Sequence, residues 1–335
     1  MYKFAIVGCG RIAHRHAENI LRVGELKAVC DIDTGKADEF ASVYDSKAYY
    51  SIDELLKEET EIDIISVCSP NGLHAEHSIK SLQGGKHVLC EKPMCITMEA
   101  GWSMMDTAHF FRRKLYVVKQ NRFNPPVQFV KKLLSGNKLG RILSFQVNCY
   151  WNRPQEYYEG GWRGSKTLDG GLLYTQFSHF IDILHWFLGD VDEVKGIKKN
   201  FELRNNLEFE DTGVAILKMK NGAIGNINYT INSYKKNVEG SVALFGEKGS
   251  IKIGGEYLNT IEWQNLDENL HYENTVFTIA NNYGFYEGSM SNHDKVYNEL
   301  IKALDNTSNE LPKANDALKT VEIIHKIYKA SEDAR

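Results

Sequence analysis

The chain has 335 residues, 42% hydrophobic and 25% charged, and its 40 basic and 44 acidic side chains leave a formal charge of −4. This is the balance of a folded chain of about two domains, roughly 150 residues each, and it excludes disorder. Mild acidity argues against a nucleic-acid partner, which calls for a basic face, but leaves room for small anions held by local donors.

In chain order, the first third alternates short apolar runs with helical stretches. Phe4–Val7, Leu26–Cys30, Ile62–Cys68, His87–Cys90 and Leu115–Val118 read as strands, continuous in apolar character as strands buried on both faces are. Between them Ile12–Leu21, Thr34–Val43, His74–Gln83 and Thr97–Arg112 read as helices, so the pattern predicts a doubly wound parallel sheet. Pro125-Pro126 marks a boundary or a helix start, and Val127–Leu134 reads as a helix. Beyond it the strands alternate, as in Leu143–Tyr150. Gly213–Lys218 and Ala223–Ile231 flank the turn Asn221-Gly222, and Gly240–Phe245 and Ser250–Ile253 flank Glu247-Lys248-Gly249. Half-polar alternation with hairpins predicts an open, mainly antiparallel sheet. Phe180–Leu188 is an apolar helix, and Asp294–Leu304 and Ala314–Ala330 read as closing helices. The expected division is 1–122 and 123–335.

No apolar run approaches the roughly 20 residues of a membrane span, and the apolar start at Tyr2–Val7 is too short for a secretory leader. Cys9, Cys30, Cys68, Cys90, Cys95 and Cys149 form no C-x-x-C pair and read as buried thiols in a reducing compartment, so a cytoplasmic location is expected.

Gly8-Cys9-Gly10-Arg11-Ile12-Ala13 follows the first strand and opens the first helix as G-x-G-x-x-A. The first glycine permits the tight turn, the second lets backbone approach a pyrophosphate, and the small third residue packs helix on strand. Free N–H groups at the helix start favour the anion. Asp31 ends the second strand 21 residues past Gly10, where a carboxylate binds the adenosine ribose. At about 4 Å it would repel a 2′-phosphate by roughly 1–4 kcal/mol per unit charge, so NAD is expected over NADP.

Two further strand ends carry polar groups, Ser69-Pro70-Asn71 with His74 beyond it, and Glu91-Lys92-Pro93. Ligands in such sheets bind outside the carboxyl ends of the strands. Downstream, Asp169-Gly170-Gly171 leads through Thr175 and Gln176 to His179 and Asp182. His179-x-x-Asp182-x-x-His185 has the residue types of a metal site. At about 100° per residue, however, His185 points about 240° from His179, and no metal is expected.

With these motifs the sequence resembles the Gfo/Idh/MocA oxidoreductases along essentially its whole length. The resemblance implies a Rossmann domain followed by an α/β domain for substrate binding and oligomerisation. It implies that Lys92 and His179 flank the carbon that exchanges hydride. Histidine can take and return a proton near neutral pH, and a lysine cation stabilises developing alkoxide charge; which of the two accepts the proton stays open. The implied cofactor residues are Gly8, Gly10, Arg11, Ile12, Asp31, Ser69, Asn71, His74, Glu91, Lys92, Gln120, Trp162 and Arg163. The implied substrate residues are Lys92, Arg122, Tyr158, Thr175, Gln176, His179 and Asn237.

Tyr150-Trp151-Asn152-Arg153-Pro154, Gly161-Trp162-Arg163-Gly164-Ser165, Glu210-Asp211-Thr212-Gly213 and Lys236-Asn237-Val238-Glu239-Gly240 narrow the likeness. They resemble the branch of nucleotide-sugar 3-dehydrogenases acting on substrates such as UDP-N-acetylglucosaminuronic acid in surface-polysaccharide synthesis. Arg122, Arg153, Arg163, Lys235 and Lys236 suit a diphosphate or carboxylate, arginine through bidentate pairing, and Tyr150, Trp151, Tyr157, Tyr158 and Trp162 offer stacking faces. That branch implies a UDP-sugar substrate, 2-oxoglutarate as a recycling oxidant, and a homotetramer or dimer. Thr175 departs from the Asp or Asn found four residues before the histidine in other members. A hydroxyl hydrogen-bonds but carries no charge, which argues against a polyol dehydrogenase, although Gln176 can compensate. The alternatives are a dehydrogenase or ketoreductase of a free sugar, polyol or other nucleotide sugar, and a non-catalytic NAD(H)-binding sensor.

Overall fold

The computed structural model describes residues 1–202, 204–267, 269–274, 280–282, 287–308 and 310–332. They form two compact units, each discontinuous in the chain. The first comprises Met1–Val118, Thr167–Gly170 and His293–Val321, and the second Lys119–Lys166, Gly171–Asn292 and the chain from Glu322 onward.

The first unit runs β1 (Tyr2–Val7), α1 (Arg11–Val23), β2 (Gly24–Cys30), α2 (Thr34–Tyr44), β3 (Lys47–Tyr49), α3 (Ile52–Glu58), β4 (Ile64–Val67), α4 (His74–Gln83), β5 (His87–Cys90), α5 (Met98–Phe110) and β6 (Leu115–Val117). Its six strands are parallel in the order β3-β2-β1-β4-β5-β6, the doubly wound arrangement with its switch point between β1 and β4. The strands that read as continuous apolar runs are the buried ones; all four residues of β4 are covered. α1 forms because Ala13, Ala17 and Ile20 recur at helical spacing and bury one stripe.

The second unit holds α6 (Pro125–Ser135), β7 (Ile142–Tyr150), α7 (Leu172–Thr175), α8 (Ser178–Leu188), β8 (Val191–Lys199), β9 (Thr212–Met219), β10 (Ile224–Thr230), β11 (Glu239–Gly246), β12 (Gly249–Gly254), β13 (Thr260–Asn265) and the small hairpin β14 (Ala280–Asn282) with β15 (Glu287–Met290). The larger sheet is ordered β13-β12-β11-β7-β10-β9-β8. It is antiparallel except where β10 lies parallel to β7, pairing Ile227 with Val147. Both predicted hairpins form. Gly222 takes φ +92° between β9 and β10, and Glu247-Lys248 link β11 to β12. Phe145, Val147 and Cys149 of β7 are buried on the face toward α8, whose Phe180, Ile183 and Leu184 are also fully buried. Ile197, Val214, Ile216 and Ile224 stay exposed.

Two closing helices follow, α9 (His293–Leu304) and α10 (Ala314–Glu332). α9 returns to the first unit. Val296, Tyr297, Leu300, Ala303 and Leu304 form its buried stripe, and the Tyr297 ring lies 5.9 Å from that of Phe4 in β1. Gly101 of α5 makes room for Leu318 of α10, since a Cβ there would stand 2.3 Å from a Leu318 methyl.

Candidate active site

In the first unit the site residues collect at the carboxyl ends of the parallel strands. Gly8 sits at φ +97°, where a Cβ would lie 2.6 Å from the Ser69 amide nitrogen and 2.7 Å from the Cys68 carbonyl carbon. Only glycine lets β1 turn so close to the end of β4. Gly10 is the opposite case: its φ is −79°, it is exposed, and a Cβ would meet nothing within 4 Å. No side chain caps α1 at Gly10. A helix start with open space over a glycine is the cradle a pyrophosphate fills. Arg11 is exposed beside it and Ile12 half-buried.

Asp31, half-buried at the end of β2, is tied to that turn. Its Oδ2 accepts from the Cys9 N–H at 2.8 Å and its Oδ1 from the Asp33 N–H at 2.9 Å. The donor set and the open glycine fit NAD, with the Asp31 charge set against a 2′-phosphate.

The polar groups after β4 and β5 hold each other. Ser69 Oγ lies 2.8 Å from His77 Nδ1, and Asn71 Nδ2 donates to the Asp169 carbonyl at 2.8 Å. The buried His74 ring spans two loops, Nε2 2.8 Å from the Ser69 carbonyl and Nδ1 2.6 Å from the Pro93 carbonyl. Burial pushes His74 below the ordinary imidazole value. Glu91 is buried while Lys92, next to it, is half-buried, and Glu91 Oε2 accepts from the Lys92 N–H at 2.9 Å. Burial alone would raise Glu91, but hydrogen bonds from His16 and His293 hold its carboxyl well below the usual range.

In the second unit His179 is buried near the start of α8, its Nε2 3.4 Å from Gln120 Nε2. Asp182, one turn on, is committed elsewhere. Arg122 donates to both its oxygens at 2.8 Å, and Lys119 Nζ stands 3.2 Å away. Burial would raise Asp182, but these two cations keep its carboxyl ionised far below the usual range. His185 is paired with Asp190 at 3.3 Å, so His179, Asp182 and His185 do not converge. The Arg122 guanidinium also packs over the Trp186 ring, 5.1 Å from its centroid.

A second buried cluster surrounds Arg153. Its Nε donates to Gln176 Oε1 at 2.8 Å, and its Nη1 donates to the Asn152 carbonyl at 2.6 Å and Asn237 Oδ1 at 3.2 Å. Gln176 Nε2 in turn donates to the Tyr157 hydroxyl at 2.8 Å, and Asn237 Nδ2 to that of Tyr257 at 2.6 Å. Thus Gln176 and Asn237 join one network. Tyr158 is buried beside Tyr157, and the half-buried Thr175 ends α7. The Arg163 guanidinium lies over Tyr157 at 4.5 Å and Trp162 at 5.5 Å. Trp151, expected among the stacking faces, is packed against Phe177, Phe180 and Tyr257.

Sequence reasoning singled out Arg153 as a cation for an anionic ligand but not as the centre of this network, and it missed Lys119; a buried cation carries no local signal of its partners. It also missed His16, His293 and Tyr297 around Glu91, which lie far apart in the chain. The six cysteines are free and buried, and burial pushes Cys9, Cys30 and Cys95 up to about 12, which removes them as nucleophiles. No helix among the described residues is long and apolar enough to cross a membrane.

Two family models match the chain, the NAD-binding Rossmann fold of an oxidoreductase family over residues 2–118 and its C-terminal α/β domain over residues 131–335. Among curated proteins, glucose-6-phosphate 3-dehydrogenase of Bacillus subtilis is 27% identical, covering 100% of this chain and 98% of that protein. Among solved structures, the WlbA dehydrogenase of Bordetella pertussis in complex with NADH and UDP-GlcNAcA is 32% identical with TM-score 0.89, covering 100% of this chain and 97% of that one. The WlbA dehydrogenase of Chromobacterium violaceum, with the same ligands, is 34% identical with TM-score 0.90, covering 100% and 94%. The glycine turn with its tied aspartate, the two polar strand ends and the matches over both units make this chain an NAD-binding member of the Gfo/Idh/MocA oxidoreductase family.

Proposed function

We propose that this NAD-dependent dehydrogenase of sugar hydroxyls oxidises the 3-hydroxyl of a UDP-N-acetylhexosamine, or of its uronic acid, to the 3-keto sugar. The observation that carries this reading is the end-to-end likeness, at 32–34% identity, to two enzymes whose structures hold NADH and UDP-GlcNAcA. Gly8, Gly10, Arg11, Ile12 and Asp31 hold the cofactor in this reading, with Ser69, Asn71, His74 and Glu91 shaping the strand-end loops and Gln120, Trp162 and Arg163 as further cofactor residues. Arg122, Tyr158, Thr175, Gln176 and Asn237 serve the substrate.

Bound NAD supplies the hydride acceptor. Lys92 and His179 are the catalytic pair. Removing hydride from a secondary alcohol requires its hydroxyl proton to leave, and one of the pair, Lys92 Nζ or a ring nitrogen of His179, takes it. The other group holds the developing alkoxide. The place of the product is surface-polysaccharide precursor synthesis, with 2-oxoglutarate recycling the reduced cofactor. The exposed apolar side chains Ile197, Val214, Ile216 and Ile224 favour a homo-oligomer, a tetramer or a dimer.

The test is NADH formation at 340 nm with UDP-N-acetylglucosaminuronic acid, UDP-N-acetylglucosamine and glucose 6-phosphate in parallel, with and without 2-oxoglutarate. Turnover of either UDP-sugar is expected. A sugar phosphate is the second reading, because the full-length relative from Bacillus subtilis is named for one; turnover of glucose 6-phosphate alone would replace the first reading with it.

A further inference from the structure

Glu91 is a buried carboxylate with no place in a hydrophobic core, and its two oxygens divide their work. Oε2 accepts from the Lys92 backbone N–H at 2.9 Å. Oε1 lies 2.9 Å from His16 Nε2 and 3.3 Å from His293 Nε2. Both histidine side chains are fully buried, one on α1, the helix opened by the glycine turn, and the other at the first residue of α9. His16 Nδ1 stands 2.7 Å from the Tyr297 hydroxyl, which is 2.8 Å from Ser66 Oγ on β4.

Donor bookkeeping gives the chain one direction. An ionised carboxylate only accepts, so both imidazoles turn an Nε2–H toward it. A neutral His16 then accepts at Nδ1 from Tyr297 O–H, and the tyrosine oxygen accepts from Ser66. Burial pushes His16 toward that neutral form, against the pull of Glu91. A buried charge is retained at a cost unless it is fully hydrogen-bonded, and here three N–H groups from three segments hold it.

We propose that His16 and His293 are positioning residues for Lys92: through Glu91 they fix the peptide that carries the lysine, and so set its side chain for the acid–base role assigned above. The inference rests on that role for Lys92, but its first readout does not. The three nitrogen–oxygen contacts lock the carboxylate about its own axis, and the Lys92 N–H follows it. Losing an imidazole donor frees the carboxylate to turn, and Lys92 then samples several directions.

The test uses the full chain as His16→Gln, His293→Gln, His293→Phe and Glu91→Gln. The first readout is the pH-dependent acylation of the Lys92 amine in the NADH-bound protein, mapped by peptide mass spectrometry. His293→Phe and Glu91→Gln should change its rate threefold or more, and the two histidine-to-glutamine variants, which keep an N–H donor, should change it less. If His293→Phe does not fold, Glu91→Gln carries this arm, because it keeps the size of the side chain. With the substrate found by the assay above, His293→Phe should lose about tenfold or more in kcat with KM and NADH affinity within about twofold. In a Lys92→Met background it should have no further effect on turnover, as expected of a residue that acts through one group. Unchanged acylation in folded Glu91→Gln protein would overturn the proposal, whatever the substrate. So would one equivalent of a divalent metal in the purified protein that is lost in His293→Gln, because Nε2 would then be a ligand and not a donor.

Discussion

The two glycines of the phosphate turn offer the cleanest separation of folding from binding. An alanine at position 8 would have to hold φ +97° and place its Cβ 2.6 Å from the Ser69 nitrogen and 2.7 Å from the Cys68 carbonyl carbon, both main-chain atoms that cannot swing aside. A strained backbone of this kind costs about 1–3 kcal/mol and overpacking a further 1–3, so Gly8→Ala should lose roughly 2–6 kcal/mol. For a unit of this size that is a fall in Tm of about 4–24 °C, at about 2–4 °C per kcal/mol. Gly10→Ala needs no unusual φ and meets no atom within 4 Å, so Tm should stay within about 2 °C of the wild type. Its methyl instead occupies the space a pyrophosphate approaches, and NADH should bind about tenfold or more weakly. Differential scanning calorimetry gives the first quantity and NADH fluorescence titration the second. Wild-type NADH affinity in Gly10→Ala would refute the assignment of that space to the cofactor, and a wild-type Tm in Gly8→Ala would refute the steric argument.

Arg122→Met removes both of its bonds to Asp182 and takes one of two cations from a buried carboxylate; it should cost about 3–5 kcal/mol in denaturant unfolding, and Arg122→Met/Asp182→Leu should recover most of it. Lys92→Met should keep NADH affinity and lose turnover; normal turnover would remove Lys92 from catalysis. The buried histidines predict a pH dependence. His16 and His74 have folded-state values below the ordinary imidazole value of about 6.5, so below that pH the unfolded chain binds more protons. Stability should therefore be complete above about pH 6.5 and decline as pH falls, by up to about 1.4 kcal/mol per pH unit for each histidine. Glu91 and Asp182, both depressed, add their loss only below about pH 4. A Tm that is flat from pH 8 to pH 5 would mean that both imidazoles take up their protons in the folded chain as readily as in the unfolded one, against the expected depression.

What could be read in the sequence was whatever a short window contains. The apolar runs of the parallel sheet, the glycine turn and the Asn221-Gly222 hairpin each depend on neighbours within a few residues, and each stands where that window puts it. β3 and α3 escaped because three residues with one buried side chain make no periodic signal, and the helix after them spans only seven. β8 escaped because it carries an edge strand's lysines: Lys195, Lys198 and Lys199 mask the alternation while protecting the sheet from further pairing. The parallel pairing of β7 with β10 is set by partners some 80 residues apart, Val147 and Ile227 among them, which no local pattern specifies. The site divides in the same way. Lys92 and His179 stand out from apolar neighbours, whereas the commitment of Arg122 to Asp182, and of Asn237 to Arg153 and Tyr257, follows from where distant segments meet.

Glu91-Lys92 shows why adjacent residues of one motif have to do different things. Successive side chains along an extended chain point to opposite sides, so at the end of β5 one of the pair turns inward and the other outward. The inward position is closed by α1 and α9, where a carboxylate meets three N–H groups and a lysine would bring a second set of donors to two imidazoles. The outward position is half-buried at the carboxyl end of the sheet, where ligands of this fold gather and where the proposed role sets a cation against a developing alkoxide. Exchanging the two residues would therefore preserve composition and charge while placing a cation against the histidines and an anion beside the alkoxide. The order of the motif follows from the direction of the strand and from the helix that begins at the glycine turn.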